Sequence, residues 1–129
     1  MRHLEDFTPG EVIQLGTFSP SQEDIIEFAA RYDPQPFHVD PQAARQSVFG
    51  GLIASGWHTC ALWMRGFTDT VLNQAHSLGS PGGDELRWLK PVRPGDVLEA
   101  TYHVLEVTPS ERVPTRGTVR ARGQMTNQN

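Results

Sequence analysis

Asp33 and His38 stand five positions apart, at the two ends of the stretch DPQPFH. Histidine titrates near neutral pH and a neighbouring carboxylate tunes it, so the pair is suited to general acid–base catalysis. Pro34 and Pro36 each bias the preceding residue towards extended geometry. We therefore expect a stiff, irregular turn that holds the carboxylate and the imidazole at a fixed separation.

Both residues also have ordinary structural explanations. Asp33 can simply end the preceding helix, and His38 can be a surface or core histidine. Short motifs of this kind have high false-positive rates. The surrounding elements must therefore show whether the two side chains are brought together for chemistry.

Length and composition limit the class of protein. With 129 residues, the chain fits one domain, 1–129, and 9% aromatic with 20% charged residues is typical of a globular protein. The net charge of −4 argues against a nucleic-acid surface. The single cysteine, Cys60, excludes an intrachain disulfide and fits a reducing compartment.

No targeting or membrane segment is predicted. The polar N-terminus has no apolar signal-peptide region. The most apolar run, 51–67, is short and carries Ser55, His58, Thr59 and Arg65. We therefore expect a cytoplasmic protein with no membrane partner.

Two helices flank the acid–base stretch. Ile25, Phe28, Ala29 and Tyr32 recur with helical spacing, which predicts an amphipathic helix over 22–32 that stops before Pro34. Its start resembles a capping arrangement of Ser21 with Asp24. Asp40 followed by Pro41 predicts an N-cap and a short helix over 41–47, which explains Asp40 better than catalysis does.

The run 51–67 contains one charged residue, Arg65, and predicts a helix buried on all sides that opens at Gly51. Trp57 and His58 are expected to pack in the core. Three glycines, Gly51, Gly56 and Gly66, weaken this helix, so a sheet is expected to pack closely against its backbone.

The remaining chain predicts antiparallel strands. Alternating patterns indicate strands over 85–92, 97–107 and 118–125, and a weaker pattern indicates a short strand around 12–18. Pro94 and Gly95 fit the central positions of a type II turn. Helices followed by such strands predict an α+β fold.

Three stretches resemble the MaoC-like dehydratases, the R-specific enoyl-CoA hydratase family. DPQPFHVD at 33–40 is similar to the family's hydratase motif, FGGLIASG at 49–56 to its next element, and ELRWLKPV at 85–92 to its first core strand. The resemblance covers the chain from about Val12 to its end. It implies the hot-dog fold, a long helix wrapped by a curled antiparallel sheet, dimerised edge to edge.

The chain departs from the family pattern in four places. Gln35 replaces the usual Asn, Arg31-Tyr32 replaces a small residue and Gly, and Gly50 replaces a frequent His. These changes bear on substrate choice more than on reaction type. The chain stops at Asn129, where the family continues into one more strand, so either the sequence is truncated or the sheet lacks that strand.

The resemblance implies water addition to a trans-2-enoyl thioester, a hydro-lyase reaction. Asp33 and His38 would handle the water and its protons, and the Gly51 amide would stabilise the enolate-like oxygen. The substrate would be a coenzyme A or acyl-carrier thioester, with no other cofactor. The partner would be a second copy, as a homodimer or higher homo-oligomer. No nucleic-acid partner is expected.

Four further residues are weaker substrate-binding candidates: Gln35, Thr59, Arg87 and Lys90. Arg87, Lys90 and Arg93 could meet phosphates, although a solvated strand face explains them more simply. Thr59 is explained more simply as a core residue. The five histidines show no metal-ligand spacing, so no metal is predicted.

Two other functions stay open. A hot-dog acyl-CoA thioesterase commonly has an acid on the central helix, and 51–67 contains no Asp or Glu. A non-catalytic acyl-thioester-binding subunit would keep the fold without the reaction, and Gln35 leaves that alternative open. Fold alone does not decide among the three.

Overall fold

The computed structural model describes all 129 residues, in two compact units. The first unit comprises 1–16, 63–80 and 99–126, and the second comprises 17–62, 81–98 and 127–129. The strands are β1 (Val12–Phe18), β2 (Leu98–Pro109) and β3 (Gly117–Thr126). The helices are α1 (Gln22–Tyr32), α2 (Pro36–Val39), α3 (Pro41–Arg45) and α4 (Gly56–Thr70). Short 3₁₀ helices lie at Leu4–Asp6 and Leu72–Gln74.

The three strands form one sheet in the order β1-β2-β3. β2 and β3 pair antiparallel from Glu99 opposite Thr126 to Pro109 opposite Gly117, with an irregularity after Val104. In β2 the side chains of Leu98, Ala100, Tyr102 and Val104 are buried, as the alternating pattern predicts. All three of these strands agree with the sequence-based expectation.

Local capping fixes the starts of α1 and α3. Ser21 Oγ accepts a hydrogen bond from the Asp24 amide at 3.1 Å, and Asp24 Oδ2 accepts one from the Ser21 amide at 3.0 Å. Asp40 Oδ1 accepts from the amides of Gln42 and Ala43. Both predicted caps are confirmed, and they fix the residues at which α1 and α3 begin.

The core of the second unit lies beneath that stretch. Its buried members are Ile25, Ala44, Leu52 and Ala54, and Ile26, Phe37 and Val92 pack against them. The cluster joins α1, α2 and α3 to the segment that precedes α4. This packing places 51–55 beside the residues of the predicted acid–base pair.

Gly51 does not open a helix, so that prediction is wrong. α4 begins at Gly56, and 51–55 is irregular. The Ile53 amide donates to the Phe37 carbonyl at 3.1 Å, and the Ala54 amide donates to the Val92 carbonyl at 2.8 Å. These bonds to distant parts of the chain replace the turn that would have extended the helix.

The prediction that this helix is buried on all sides is also wrong. Trp57 is 58% exposed and Met64 is 44% exposed, so α4 presents one face outward. The Trp88 indole, rather than a strand, lies against Gly56 and leaves no room there for a Cβ. Trp88 Nε1 also donates to the Gly56 carbonyl at 2.9 Å.

The strand predicted over 85–92 does not form. The segment is irregular, and the sheet holds no strand beyond β1, β2 and β3. Its alternating pattern supplies apolar side chains, yet Leu86 and Leu89 are 51% and 87% exposed. No strand of this chain pairs with the segment. An alternating pattern becomes a strand only where another strand lies beside it.

The turn at 93–96 agrees with its prediction. Gly95 has a φ of +82°, the conformation that the third position of a type II turn requires, and the Asp96 amide donates to the Arg93 carbonyl at 3.0 Å.

None of the helices combines the length and the apolar character that crossing a membrane would require.

Candidate active site

Asp33 and His38 are held by the junction between α1 and α2. α1 ends at Tyr32, and the Asp33 amide still donates to the Ala29 carbonyl at 2.8 Å. Pro36 is the first residue of α2, where its missing amide costs nothing. His38 therefore lies on a single helical turn rather than in the fully irregular segment that we expected.

The two side chains face each other. Asp33 Oδ2 lies 3.4 Å from His38 Nε2, and His38 Nδ1 lies 2.7 Å from the Ile53 carbonyl oxygen. Because a carbonyl only accepts, Nδ1 carries a proton. In the neutral ring, Nε2 then presents a lone pair to the carboxylate. Two acceptors at a distance longer than an ordinary hydrogen bond can share a bridging donor such as water.

Two neighbours hold the Asp33 carboxylate. Gln35 Nε2 donates to Oδ1 at 2.8 Å, and the buried Ser55 hydroxyl donates to Oδ2 at 2.7 Å. The Gln35 and Ser55 hydrogen bonds, with a smaller contribution from the His38 charge, lower the pKa of Asp33. The acid is thus fixed in its ionised form beside the imidazole.

The family model described as "MaoC like domain" matches residues 6–125, nearly the whole chain.

The chain belongs to the MaoC-like dehydratase family.

Two relatives and one solved structure illustrate the match. An uncharacterized protein of Bacillus subtilis, YdeM, is 32% identical over 82% of this chain and 75% of its own length. The (R)-specific enoyl-CoA hydratase of Rhodospirillum rubrum is 31% identical over 89% of this chain and 78% of its own. The crystal structure of the MaoC-like dehydratase from Rhodospirillum rubrum has a TM-score of 0.86 and 39% identity, covering 99% of this chain and 87% of that one.

The α+β hot-dog fold is therefore confirmed for this MaoC-like chain. The motif stretches that carried the resemblance lie within the matched residues. In this structure the sheet is not closed into a barrel, since it consists of three strands.

Ser55 is a site residue that the sequence reasoning missed. It is fully buried, and besides donating to Asp33 its Oγ accepts from the Trp57 amide at 3.3 Å, as an N-cap does. A serine directly before a helical run is a recognisable N-cap pattern. The pattern was obscured because the helix was predicted to start at Gly51, which made Ser55 an interior position.

Gly51 lies in the irregular segment, next to an arginine. Arg93 Nη2 donates to the Phe49 carbonyl at 2.7 Å, and Arg93 Nη1 lies 3.3 Å from where a Cβ on Gly51 would be. The Gly51 amide has no acceptor within the chain, unlike the amides of Ile53 and Ala54. It therefore keeps a donor free for a ligand, although it is not at a helix N-terminus.

The remaining candidates lie outside this group. Thr59 is half-buried in the first turn of α4, where its amide donates to the Ser55 carbonyl. Arg87 is exposed and pairs with Glu85 at 2.7 Å. Lys90 is exposed. No three His, Cys, Asp or Glu side chains are grouped as a metal site would require.

Proposed function

We propose that this chain adds water reversibly to the double bond of a trans-2-enoyl thioester, as an enoyl-CoA hydratase or 3-hydroxyacyl-CoA dehydratase. Membership of the family supports enoyl-thioester hydration in general. The observation that supports the assignment to this chain is the 3.4 Å approach of Asp33 Oδ2 to His38 Nε2, with Nδ1 held by the Ile53 carbonyl.

The proposed chemistry follows from the hydrogen-bond roles. A water placed beside the pair, within hydrogen-bonding distance of both groups, donates one proton towards His38 Nε2 and the other to Asp33, which orients it. As Nε2 takes its proton, the hydroxide oxygen bonds to C3, and the C2=C3 electron pair moves towards the thioester oxygen. The imidazolium, stabilised by the ionised Asp33, then returns the proton to C2. Atoms and charge balance without a cofactor other than the carrier of the thioester.

The enolate-like oxygen needs a preorganised donor, because charge develops there in the transition state. Gly51 is our proposed donor, since its amide is free and its lack of a Cβ allows close approach. Arg93, bound to the Phe49 carbonyl, would hold this segment in place and add positive charge beside it. Among the weaker candidates, Gln35 acts through Asp33 in this proposal.

The partners follow as proposals too. The substrate is an acyl-CoA or an acyl-carrier thioester, and the protein acts in the cytoplasm as a homodimer. The exposed apolar side chains of Trp57, Leu86, Trp88 and Leu89 supply a surface for a second copy. Light scattering during gel filtration would measure the mass in solution, and a monomer at micromolar concentration would contradict the dimer.

The test is hydration of crotonyl-CoA, followed by loss of its enoyl-thioester absorbance. We expect Asp33→Asn and His38→Ala each to lower the rate by roughly 100-fold or more, the range of general acid–base catalysis. Asp40→Asn is the matched control, because asparagine also caps helices and the rate should be unchanged.

Unchanged rates in both Asp33→Asn and His38→Ala would refute the assignment. A native protein that releases free thiol from saturated acyl-CoA instead would indicate a thioesterase. One that binds enoyl-CoA without converting it would indicate a non-catalytic binding subunit.

A further inference from the structure

Arg93 carries a positive charge with which no acid side chain pairs. The residue is half-buried at the start of the turn 93–96, and its guanidinium group makes one hydrogen bond, from Nη2 to the Phe49 carbonyl at 2.7 Å. None of the ion pairs of the chain includes it. A guanidinium group has several N–H donors, so most of its hydrogen-bonding capacity is unused. A partly buried cation without a counter-ion favours an anionic ligand.

The acid of the same turn is occupied by other donors. Asp96 Oδ2 accepts from the backbone amide of Arg93 at 2.9 Å, and Asp96 Oδ1 accepts from Gln128 Nε2 at 3.1 Å. Gln128 Oε1 in turn accepts from the Val97 amide at 3.1 Å. These bonds direct the carboxylate to the backbone of the turn and to Gln128, so it forms no ion pair with the guanidinium group.

Gly51 brings a second unused donor beside this group, because its amide has no acceptor within the chain. Arg93 Nη1 lies 3.3 Å from the position that a Cβ on Gly51 would take. A Cβ lies about 2.5 Å from the nitrogen of its own residue, so Nη1 is within about 6 Å of the Gly51 amide nitrogen. Each donor needs an acceptor at about 2.9 Å. One oxygen atom between them can therefore accept from both.

The segment that holds Gly51 reaches the acid–base pair two residues later. The Ile53 carbonyl accepts from His38 Nδ1 at 2.7 Å, and the Ile53 amide donates to the Phe37 carbonyl at 3.1 Å. Gly51, Arg93 and His38 all belong to the second compact unit. The unused donors and the acid–base pair therefore flank one short segment, as a substrate with its double bond next to its carbonyl group requires.

We propose that Arg93 is a further catalytic residue, which donates a hydrogen bond from Nη1 to the thioester oxygen together with the Gly51 amide. The inference rests on the proposed function, since that reaction places negative charge on this oxygen. The oxygen gains charge as the C2=C3 electron pair moves towards it, and it loses the charge when C2 takes up its proton. Arg93 keeps its own protons throughout, so its contribution is electrostatic.

Kinetics test the contribution to the transition state. We expect Arg93→Gln to lower kcat for crotonyl-CoA hydration by roughly 100-fold, the usual loss on removing one donor to such an oxygen. KM should change by less than about threefold, because the charge develops only in the transition state. Arg93→Lys keeps the charge without the planar fork and should recover about tenfold of the loss. Arg45→Gln, an exposed arginine in the last turn of α3, is the matched control and should keep the native rate.

Infrared spectroscopy tests the contact without turnover. Butyryl-CoA labelled with ¹³C at C1 is saturated and does not react, and its carbonyl band moves to lower frequency when the oxygen accepts hydrogen bonds. The shift should be large on the native protein and on Arg45→Gln, and smaller on Arg93→Gln. Melting temperatures show whether each variant is folded, and Arg93→Lys gives the same comparison if Arg93→Gln does not fold.

A native band at its position in water, or a band and a kcat unchanged in Arg93→Gln, would overturn the proposal. Native hydration with an equally fast Arg93→Gln removes this inference alone. A band shift that depends on Arg93, in a protein that does not hydrate crotonyl-CoA, supports the contact with the thioester oxygen and removes the proposed reaction alone.

Discussion

Ser55 Oγ donates a 2.7 Å hydrogen bond to Asp33 Oδ2 while it accepts one from the amide of Trp57. One buried hydroxyl therefore both caps α4 and orients the carboxylate that faces His38. Because the same atom serves the helix start and the candidate site, a change at this residue should affect stability and rate together.

We expect Ser55→Ala to lower the free energy of unfolding by about 1 kcal/mol or more, the usual loss on removing an N-cap. It should also lower kcat for crotonyl-CoA hydration by roughly 10- to 100-fold, since misplacing a catalytic group by about 1 Å can cost that much. Urea denaturation and steady-state kinetics measure the two effects.

Ser21→Ala is the control for this prediction. Ser21 caps α1 through the Asp24 amide, at the opposite end of the helix from Asp33. It should show a similar loss of stability with kcat unchanged. If Ser55→Ala were no slower than Ser21→Ala, the hydroxyl would be only a cap.

Gln35→Ala should raise the pKa of the Asp33 carboxyl. The Gln35 side-chain amide is the largest of the contributions that lower this pKa. Without it, the carboxyl binds a proton at higher pH, which an NMR titration of the ¹³C-labelled Asp33 carboxyl measures directly. Gln42→Ala, an exposed glutamine on α3, should leave the Asp33 titration unchanged. An Asp33 titration at the same pH in Gln35→Ala would show that the Gln35 amide does not hold this carboxylate in solution.

Gly123→Ala should destabilise the protein by about 1–3 kcal/mol, the usual effect of overpacking. A Cβ on Gly123 would collide with the indole of Trp63, which is held by a 2.9 Å hydrogen bond from Nε1 to the Thr101 carbonyl. Gly83→Ala is the matched control, since that glycine has open space around it. Thermal unfolding would compare them, and equal melting temperatures would contradict the packing.

His58→Leu should raise the free energy of unfolding by about 1–3 kcal/mol at pH 7, because it removes a buried nitrogen with no partner. The pKa of His58 in the folded chain is below its unfolded value of about 6.5, so the unfolded state binds the proton more readily. Native stability therefore falls as pH drops through that value, despite the nearby Asp24 charge.

His58→Leu should lose the part of the stability decrease at low pH that the low pKa of His58 causes. Melting temperatures at pH 7.5 and pH 5.5 would measure it, with the exposed imidazole of His76 replaced in His76→Leu as the control. A His58→Leu variant less stable than the native protein at both values would show that the imidazole is paired in solution.

The parts of the fold that sequence predicted best are those with local causes. The capping of α1 by Ser21 and of α3 by Asp40 depends on residues within a few positions of each other. The alternation in β2 and β3 reports burial on one face of a paired strand. The strand predicted over 85–92 failed because alternation states which side chains are apolar, not whether a partner strand is present.

Sequence alone determined the types and order of the reacting groups, the stiffness of the turn between them and the family to which they belong. Only the tertiary structure decided that α4 starts at Gly56, that Ser55 joins Asp33, and that Ile53 fixes the tautomer of His38. Those contacts join positions 15 and 22 residues apart. Local propensity cannot specify such contacts, because they depend on how the packed core brings distant backbone groups within hydrogen-bonding distance.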